Sequence, residues 1–271
     1  MQTPTFDWLM PIAPWENPKV LRRALQSLSL QTWKARALVV SVDGKLGDEL
    51  YSVFHESGLT LEIHESGDWK GAGPVLRRGV LVCKSDIIVR VDSDDWNLPR
   101  RSEIQVQMLL SRPSLDVVGG QMYEVEYNDN HIFFKNIKQV PIYDLEIKNY
   151  AYKRNPLNHP TVAFRRTKVI EAGNYRCSPY FEDWDLWLRM IRHQFIFENI
   201  PEILVYATIG QDHLERRHGI KYMIAEFRFF SQSVRNSSLE PHQAFLQFFS
   251  RMPLRIFPIF ILKKVMNHIA R

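Results

Sequence analysis

The sequence predicts an α/β fold built around a mostly parallel β-sheet. Between residues 6 and 120, short apolar runs alternate with segments of helical periodicity, which is the pattern of βαβ units. One apolar run, at 87–91, ends in three carboxylates within four residues, Asp92, Asp94 and Asp95. Ligands of open α/β sheets bind beside the carboxyl ends of the strands. These two observations predict a sheet that carries an acidic ligand site at its edge.

The elements of this first part follow in chain order from the apolar pattern. Short apolar runs predict strands at 6–12, 37–42, 60–64 and 86–91, and another that begins at 117. Helical spacing of apolar residues predicts helices at 20–30, 48–56, 74–84 and 101–110. Strands that alternate with helices in this way favour a Rossmann-like sheet with helices on its faces.

The middle of the chain changes character. Residues 123–140 are rich in Tyr, Phe, Ile and Val, and Asn128-Asp129-Asn130 predicts a hairpin turn. An extended, proline-containing segment is expected from 141 to 160, and it carries His159. We further expect a short helix at 167–172, a strong helix at 182–193 and a strand pair around Pro201 at 195–206.

The C-terminal segment looks separate from the rest. We expect a catalytic domain at 1–210 and a basic, aromatic-rich helical tail at 211–271. The apolar run at 256–262 is too short to span a bilayer. A mixture of Phe, Ile and Leu with Arg and Lys fits a segment that lies at a membrane surface. A helical cap packed on the domain, with its cations in solvent, fits equally well.

Composition narrows the classes of protein. The net charge of +5 and the pI of about 9.1 suit an anionic ligand, an anionic membrane or a nucleic acid. Nucleic acid is the least favoured partner, because basic and aromatic residues do not cluster on a platform. Cys83 and Cys177 have no metal-ligand spacing, so we expect a reducing compartment. The N-terminus lacks the pattern of a secretory signal.

The acidic cluster is the best candidate for chemistry. Packing like charges together is unfavourable unless something neutralises them. Mg²⁺ or Mn²⁺ does this with oxygen ligands, and such an ion usually also holds phosphates. Asp92 and Asp94 are therefore candidate ligands of a metal–diphosphate site. The alternative is an Asp-rich turn that caps the following segment.

A second set of candidates lies where a nucleotide would contact the sheet. Asp43 ends the second predicted strand, where a carboxylate can accept a hydrogen bond from a base or a ribose. Gly73 belongs to a glycine loop before a helix that carries Arg78, an arrangement that suits phosphate. A simple Val-Asp-Gly turn and a flexible loop before a Pro-started helix are the alternatives.

The remaining candidates lie in the second half of the chain. Glu182 and Asp183 open a Trp-rich helix, either as helix caps or with one of them as a general base. His159, between two prolines on a rigid loop, is a candidate metal ligand or a structural residue. Arg216 and Arg217 suit bidentate capture of phosphate, with a solvated basic turn as the default.

Taken together, the motifs and their order resemble one protein family. The chain is similar to family 2 glycosyltransferases of the GT-A fold, and most of all to the bacterial branch that builds O-antigen and exopolysaccharide repeat units. The resemblance rests on Asn17-Pro18, Gln31-Thr32, Val42-Asp43-Gly44, Gly73 with Arg78-Gly79, Asp92-Ser93-Asp94-Asp95, Pro99-Arg100, Asp116-Val117-Val118-Gly119, Asn158-His159-Pro160-Thr161, Gly173-Asn174-Tyr175, Glu182-Asp183-Trp184-Asp185 and Glu215-Arg216-Arg217.

The resemblance implies roles for these residues. Asp92 and Asp94, with His159 as a further candidate, would hold Mn²⁺ or Mg²⁺, and Asp183 rather than Glu182 would be the base. The nucleotide-sugar site would comprise Pro11, Asp43, Gly73, Arg78, Asp92, Ser93, Arg216 and Arg217. The implied reaction is inverting transfer of a hexose from a UDP-sugar to a lipid-diphosphate-linked saccharide. The implied place is the inner face of the cell membrane, with the tail on the membrane surface.

Two other classes of protein remain as alternatives. A sugar-phosphate nucleotidyltransferase would also use strand-end Asp residues and a metal on a diphosphate, but residues 11–19 lack its Lys-rich glycine loop. A non-catalytic nucleotide-sugar-binding module would not need Asp92, Asp94 and Asp183 together.

Overall fold

A single nine-stranded sheet organises the chain in the computed structural model, which describes residues 5–128, 131–210 and 218–256. The strand order is β3-β2-β1-β4-β8-β6-β9-β5, and β7 pairs with β6 outside this path. The first four strands pair in parallel, as do β6 and β9. The predicted α/β class is confirmed.

The N-terminal half forms the elements that the apolar pattern predicts and, in addition, a two-residue strand at Trp96–Asn97. They are β1 (Asp7–Ile12), α1 (Pro18–Ser29), β2 (Ala37–Val42), α2 (Asp48–Glu56), β3 (Leu61–Glu65), α3 (Ala72–Val82), β4 (Ile87–Arg90), β5 (Trp96–Asn97) and α4 (Arg101–Ser111). Parallel pairing brings the carboxyl ends of β1, β2 and β4 to the same edge of the sheet.

The C-terminal half adds the antiparallel part of the sheet and a helical layer. Its elements are β6 (Val117–Asn128), β7 (His131–Lys138), α5 (Asp144–Ala151), a 3-10 turn (His159–Thr161), β8 (Ala163–Arg165), α6 (Arg166–Glu171), α7 (Glu182–Arg192), β9 (Phe197–Thr208), α8 (Ile220–Arg235) and α9 (Pro241–Ile256). β6 and β7 pair up to Asn128 and His131, as expected for the predicted hairpin.

Two predictions for this half are wrong. The segment from 141 to 160 contains the helix α5, whose Ile147 and Ala151 are one turn apart and buried. The expected strand pair around Pro201 is one strand, β9. The register with β6 shifts between Ile200 and Ile203, so Pro201 sits in a bulge and needs no ladder hydrogen bond.

The sheet separates two hydrophobic cores. Along β1, Leu9 packs into the core under α3, α6 and α7, whereas Trp8 and Met10 pack into the core under α1, α2 and α4. This alternation follows from the two-residue period of a strand. The side chains of β1 therefore pack against helices on both faces of the sheet. The polar side chains lie at the edge formed by the carboxyl ends of the strands.

Helix α4 holds the carboxyl end of β4 in place through side-chain hydrogen bonds. Arg101, its buried first residue, donates from Nη2 to the carbonyl of Arg90 at 2.6 Å and from Nε to Gln105 at 3.0 Å. Gln105 in turn donates to the carbonyls of Val118 at 2.9 Å and Thr161 at 2.7 Å. The strand end that carries the acidic residues is therefore tied to β6 and to the 3-10 turn.

Helices α8 and α9 pack against each other beside α7. Between them lies Glu226, which is 1% exposed and forms ion pairs with Arg251 at 3.3 Å and Arg255 at 3.0 Å. None of the helices in the described ranges combines the length and apolar content that a membrane span requires. The proposed boundary at residue 210 stays a prediction, and residues 211–217 and 257–271 lie outside the described residues.

Helix α3 depends on close approach to β1 at Gly79. A Cβ atom there would lie 2.3 Å from Cδ1 of Leu9, so Gly79→Val should lower the free energy of unfolding by about 1–3 kcal/mol through overpacking. Leu81→Val, on the exposed face of the same helix, should change it by less than about 0.5 kcal/mol. Urea unfolding followed by circular dichroism measures both. Equal stability of the two variants would contradict this packing.

Candidate active site

Three strand ends build the site at one edge of the sheet. The loop after β1 carries Glu16, β2 is followed by Asp43, and β4 leads into Asp92, Asp94 and Asp95. Ser93 donates a hydrogen bond to Glu16 at 2.7 Å and so joins the first loop to the third. The sequence analysis did not single out Glu16.

The predicted carboxylate cluster is present. Ligand atoms of Asp92, Asp94 and Asp95 all lie within 4.8 Å of one another. Burial, together with the charges of Asp92 and Glu16, raises the pKa of Asp94 to about 7. Burial and the charges of Asp94 and Asp92 raise the pKa of Asp95 well above its usual value. Carboxylate oxygens that lie close together repel one another, and a hard divalent cation such as Mg²⁺ or Mn²⁺ would offset this repulsion.

The backbone of this acidic turn is held from two sides. Arg23 of α1 donates to the carbonyl of Asp94 at 3.0 Å, and the Thr208 hydroxyl donates to the same oxygen at 2.5 Å. The backbone N–H of Thr208 also donates to the carboxylate of Asp95 at 2.8 Å. The Arg23 guanidinium lies 3.2 Å from the ring centre of Tyr127. The turn is therefore positioned by α1, β6 and β9 as well as by β4.

A buried cation lies at the centre of the site. Arg90 is 7% exposed and forms an ion pair with Asp92. Burial acts to lower the pKa of Arg90, but the charges of Asp92, Tyr175 and Asp95 outweigh burial and raise it. The positive charge of Arg90 in turn opposes the rise that burial causes in the pKa values of four nearby carboxyl groups, namely Asp94, Asp95, Glu182 and Asp183. Arg90 thus links the metal-binding candidates to the base candidates.

The base candidates open α7. The carboxylate of Asp183, a residue that is 9% exposed, accepts hydrogen bonds from the side-chain amide of Asn155 and from the backbone N–H of Trp184 at 2.7 Å. Burial raises the pKa of Asp183. Glu182 is less buried, and desolvation together with Asp183 raises its pKa to about 7. Asp183 is therefore the member of the pair whose carboxylate is fixed in orientation by its neighbours.

Gly73 brings the start of α3 against the segment before α7. A Cβ atom at Gly73 would lie 2.1 Å from the carbonyl oxygen of Arg176 and 3.4 Å from Cβ of Glu182. The glycine predicted to approach a phosphate is therefore needed in this structure for close packing next to Glu182. Its role in nucleotide-sugar binding stays a prediction.

His159 lies on the base side of the site. Its Nε2 is 3.0 Å from the Tyr175 hydroxyl, and its Nδ1 is 3.8 Å from Asp183, too far for a hydrogen bond. Burial and the charge of Arg90 lower the pKa of His159 well below its usual value, so this pair carries no ionic attraction. The structure does not bring His159 into the group formed by Asp92, Asp94 and Asp95, because the 3-10 turn directs it toward Tyr175.

The nucleotide side is built around Asp43 and Arg78. Both oxygens of Asp43 accept backbone N–H groups, from Lys70 at 2.7 Å and Gly71 at 2.8 Å. Arg78 donates to the carbonyl of His64 at 3.2 Å and to that of Val42, the last residue of β2. Burial lowers the pKa of Arg78, and Asp43 partly opposes this. These two predicted contact residues therefore shape the rim of the site.

The remaining residues that were predicted to bind the nucleotide-sugar lie in different parts of the chain. Pro11 lies near the carboxyl end of β1, paired in register with Ser41 of β2. Ser93 is buried between the acidic residues. Arg216 and Arg217 lie outside the described residues. Sequence reasoning missed Arg90 and Asn155 as site residues, although a charged residue inside the apolar run of β4 was a signal for Arg90.

A comparison with protein-family models decides the family. The model described as glycosyl transferase family 2 matches residues 14–173, which include the loop after β1, the acidic turn and His159. The chain belongs to glycosyl transferase family 2. This membership favours glycosyl transfer over the two alternative classes that the sequence left open.

Relatives of this family 2 chain are named as bacterial glycosyltransferases, one of them for amylovoran biosynthesis. An uncharacterized glycosyltransferase of Haemophilus influenzae is 33% identical over 98% of this chain and 99% of its own length. The amylovoran biosynthesis glycosyltransferase AmsE of Erwinia amylovora is 29% identical over 95% and 96%. A UDP-Gal:alpha-D-GlcNAc-diphosphoundecaprenol beta-1,3-galactosyltransferase of Escherichia coli is 30% identical over 98% of both chains. The predicted branch of the family is confirmed.

Solved structures agree on the fold. TarS 1-349 of S. aureus in complex with UDP-GlcNAc superposes with a TM-score of 0.64 at 15% identity, covering 84% of this chain and 66% of that one. The mannosyltransferase PcManGT of Pyrobaculum calidifontis, in complex with GDP-Man and Mn²⁺, has a TM-score of 0.64 at 13% identity, covering 93% and 70%. The family 2 chain has the GT-A fold, as predicted.

The charge of Arg90 should be essential for stability. Arg90→Met leaves the partly buried Asp92 without its partner and removes the cation that interacts with Asp94 and Asp95, so the free energy of unfolding should fall by about 3–5 kcal/mol in metal-free buffer. Arg22→Met is the matched control, because the Arg22–Glu56 pair is more than half exposed on both sides and should contribute at most about 1 kcal/mol. Urea unfolding measures both variants. A loss as small as that of the control would contradict the central position of Arg90.

Proposed function

We propose that this chain is an inverting hexosyltransferase that uses a UDP-sugar, a divalent metal and a lipid-linked saccharide acceptor in surface polysaccharide synthesis. One observation carries the proposal. The clustered carboxylates of Asp92, Asp94 and Asp95 and the oriented carboxylate of Asp183 both lie within electrostatic reach of the buried Arg90. Sugar transfer requires both a stabilised leaving group and a base for the acceptor.

Asp92 and Asp94, with Asp95 adjacent, would hold Mn²⁺ or Mg²⁺. Such an ion supplies charge neutralisation for the diphosphate that departs from the sugar. The fit rests on the oxygen donors and on the raised pKa values of Asp94 and Asp95, since a bound cation would favour their ionised forms. The Mn²⁺ in the structure of the P. calidifontis mannosyltransferase supports a metal in this fold.

The proposed donor is a UDP-sugar. The E. coli relative is named for a UDP-Gal donor, and the structure of S. aureus TarS contains UDP-GlcNAc. Asp43 and Arg78 form the rim where the base and ribose would lie, with Pro11, Gly73 and Ser93 nearby along the same edge of the sheet. Arg216 and Arg217 are proposed to hold a phosphate of the donor or of the acceptor.

Asp183 is the proposed general base. Its carboxylate takes the proton of the acceptor hydroxyl as the hydroxyl oxygen forms a bond to the anomeric carbon. The bond from that carbon to the UDP oxygen breaks on the opposite face, and UDP leaves with the electron pair. One displacement inverts the configuration and needs no carboxylate nucleophile, unlike the covalent route of retaining glycosidases. Asn155 and the N–H of Trp184 hold the base in one orientation.

The proposed acceptor is a saccharide on a lipid diphosphate. Support comes from the E. coli relative, whose name specifies a GlcNAc-diphosphoundecaprenol acceptor. We place the enzyme at the inner face of the cell membrane, with residues 211–271 as a tail on the membrane surface. Five Arg and Lys residues against two Glu residues in 218–256 support contact with anionic lipid.

Asp183→Asn should abolish transfer while UDP binding stays within about twofold of wild type, since the variant keeps the size of the side chain and loses only the base. The measurement is release of UDP with a panel of UDP-sugars and a diphosphate-linked saccharide acceptor, together with UDP titration calorimetry. Glu182→Gln is the matched neighbour and should retain most of the turnover. Full activity of Asp183→Asn, or loss of activity only in Glu182→Gln, would overturn the assignment of the base.

Asp94→Asn should weaken Mn²⁺-dependent UDP binding by roughly 10–100-fold, because one charged oxygen ligand is lost. Chelation by EDTA should reduce the wild type to the same level, and Mn²⁺ should restore only the wild type. Calorimetry with UDP in Mn²⁺ and in EDTA measures this. Identical UDP affinity with and without Mn²⁺ in the wild type would contradict the metal proposal.

A further inference from the structure

The outer face of α8 and α9 is apolar where solvent-facing helices are usually polar. Phe227 on α8 is 56% exposed, and Phe245 and Phe249 on α9 are 60% and 49% exposed. Their rings form a continuous row through Phe248, with centroids 4.4–5.4 Å apart. Exposed apolar patches of this kind mark binding surfaces.

A groove opens between these helices. Its volume is about 330 Å³, and its walls are formed mainly by Phe227, Phe230, Val234, Phe245, Phe248 and Phe249. Polar side chains in the lining are those of Ser231 and Arg235. Both walls are helices whose backbone groups bond internally, so the groove offers few partners for a peptide backbone. A hydrocarbon chain needs no such partners and matches the lining.

The inner wall of the groove packs against α7, the helix that carries Asp183. Phe230, on its inner wall, packs edge-on against Trp184 at 5.9 Å, and Trp184 directly follows Asp183. Arg251 of α9 lies 5.0 Å from the ring centre of Trp184 and donates to the backbone carbonyl of Lys153. These contacts join α9 to the segment at 152–155 that supports the base.

Two cations lie along this path. Lys153 and Arg154 are both exposed, and no side chain in the described ranges pairs with either of them. The next residue, Asn155, donates to the carboxylate of Asp183. Two exposed cations therefore precede the residue that holds the base, and α9, which forms one wall of the groove, contacts the same segment through Arg251.

We infer that this path binds the lipid diphosphate of the acceptor, with the diphosphate on Lys153 and Arg154 and the first units of an isoprenoid chain in the groove. The inference rests on the proposed lipid-linked acceptor and assigns its parts to residues. The order of chemistry in the protein matches the order in such a molecule: a hydroxyl at Asp183, then two negative phosphates, then a chain without hydrogen-bonding groups. Charge complementarity favours this occupant over a neutral apolar peptide.

Soluble acceptors separate the groove from a membrane surface. The probes are a hexosaminyl diphosphate esterified to a farnesyl chain and the same head group esterified to a methyl group, assayed without lipid or detergent. Wild type should have a KM about tenfold lower for the farnesyl probe, since burial of the chain in the groove favours binding. Equal KM values for the two probes would overturn the assignment of the groove.

Filling the groove should remove this preference. Val234→Phe adds a ring to one wall, and Ala244→Leu adds a larger aliphatic side chain from the other helix. Ile224→Phe adds the same ring on the exposed face of α8 outside the groove and is the matched control. Both filled variants should have equal KM values for the two probes, whereas the control should keep the preference. Retention of the preference in two folded groove variants would overturn the proposal.

The two cations, Lys153 and Arg154, have a separate test. Lys153→Ala combined with Arg154→Ala should raise the KM for both probes by about tenfold and leave the Kd for UDP unchanged, because one or two charge-assisted contacts to phosphate are lost. Arg22→Ala, an exposed arginine on α1, is the control and should change neither value. An unchanged KM in the double variant would show that the diphosphate binds elsewhere.

Direct binding distinguishes failure of this inference from failure of the proposed function. Farnesyl diphosphate should bind wild type and Ile224→Phe in calorimetry, and it should bind Val234→Phe about tenfold more weakly. This result is independent of turnover, so it stands even if no UDP-sugar is transferred. If farnesyl diphosphate does not bind while the wild type sediments with phosphatidylglycerol vesicles, the apolar face is a bilayer-binding surface and the chain site is wrong.

Discussion

Neutralisation of buried negative charge is the constraint on which the site depends. Five carboxyl groups lie around the guanidinium of Arg90, and burial raises the pKa of four of them, Asp94, Asp95, Glu182 and Asp183. One buried arginine cannot balance them all, because its ion pair is with Asp92. The negative charge of the acidic cluster is therefore only partly neutralised by residues of the protein. Such a cluster is suited to bind a divalent cation that also holds a diphosphate.

The two halves of the GT-A fold contribute different residues to this site. The parallel strands bring Asp43, Glu16 and the acidic turn to one edge, and Arg101 holds the carbonyl of Arg90 from below. The second half supplies Thr208 against the turn and Asn155 against Asp183. In the proposed reaction, the leaving group and the acceptor would therefore contact different elements, and the carboxylates of both elements lie within electrostatic reach of Arg90.

Much of this architecture follows from local pattern in the sequence. Apart from the two-residue β5, the strands and helices up to α4 were predictable, as were the cluster at Asp92 and the helix at Glu182, because period and spacing are local properties. Helix α5 was not, since only Ile147 and Ala151 mark its buried face. The partners of His159 and the position of Arg90 depend on long-range packing, which spacing alone does not encode. Family membership indicates the type of reaction, whereas the contacts of Asp183 are evident only from the three-dimensional structure.

The most direct measurement is anomalous diffraction from a crystal of the enzyme grown with UDP and Mn²⁺. The account predicts a manganese peak bound to the carboxylate of Asp94 and to the diphosphate of UDP, with the Asp183 carboxylate facing the same cleft. UDP bound without a manganese peak at Asp94, or with the ion held by residues outside the acidic turn, would contradict it.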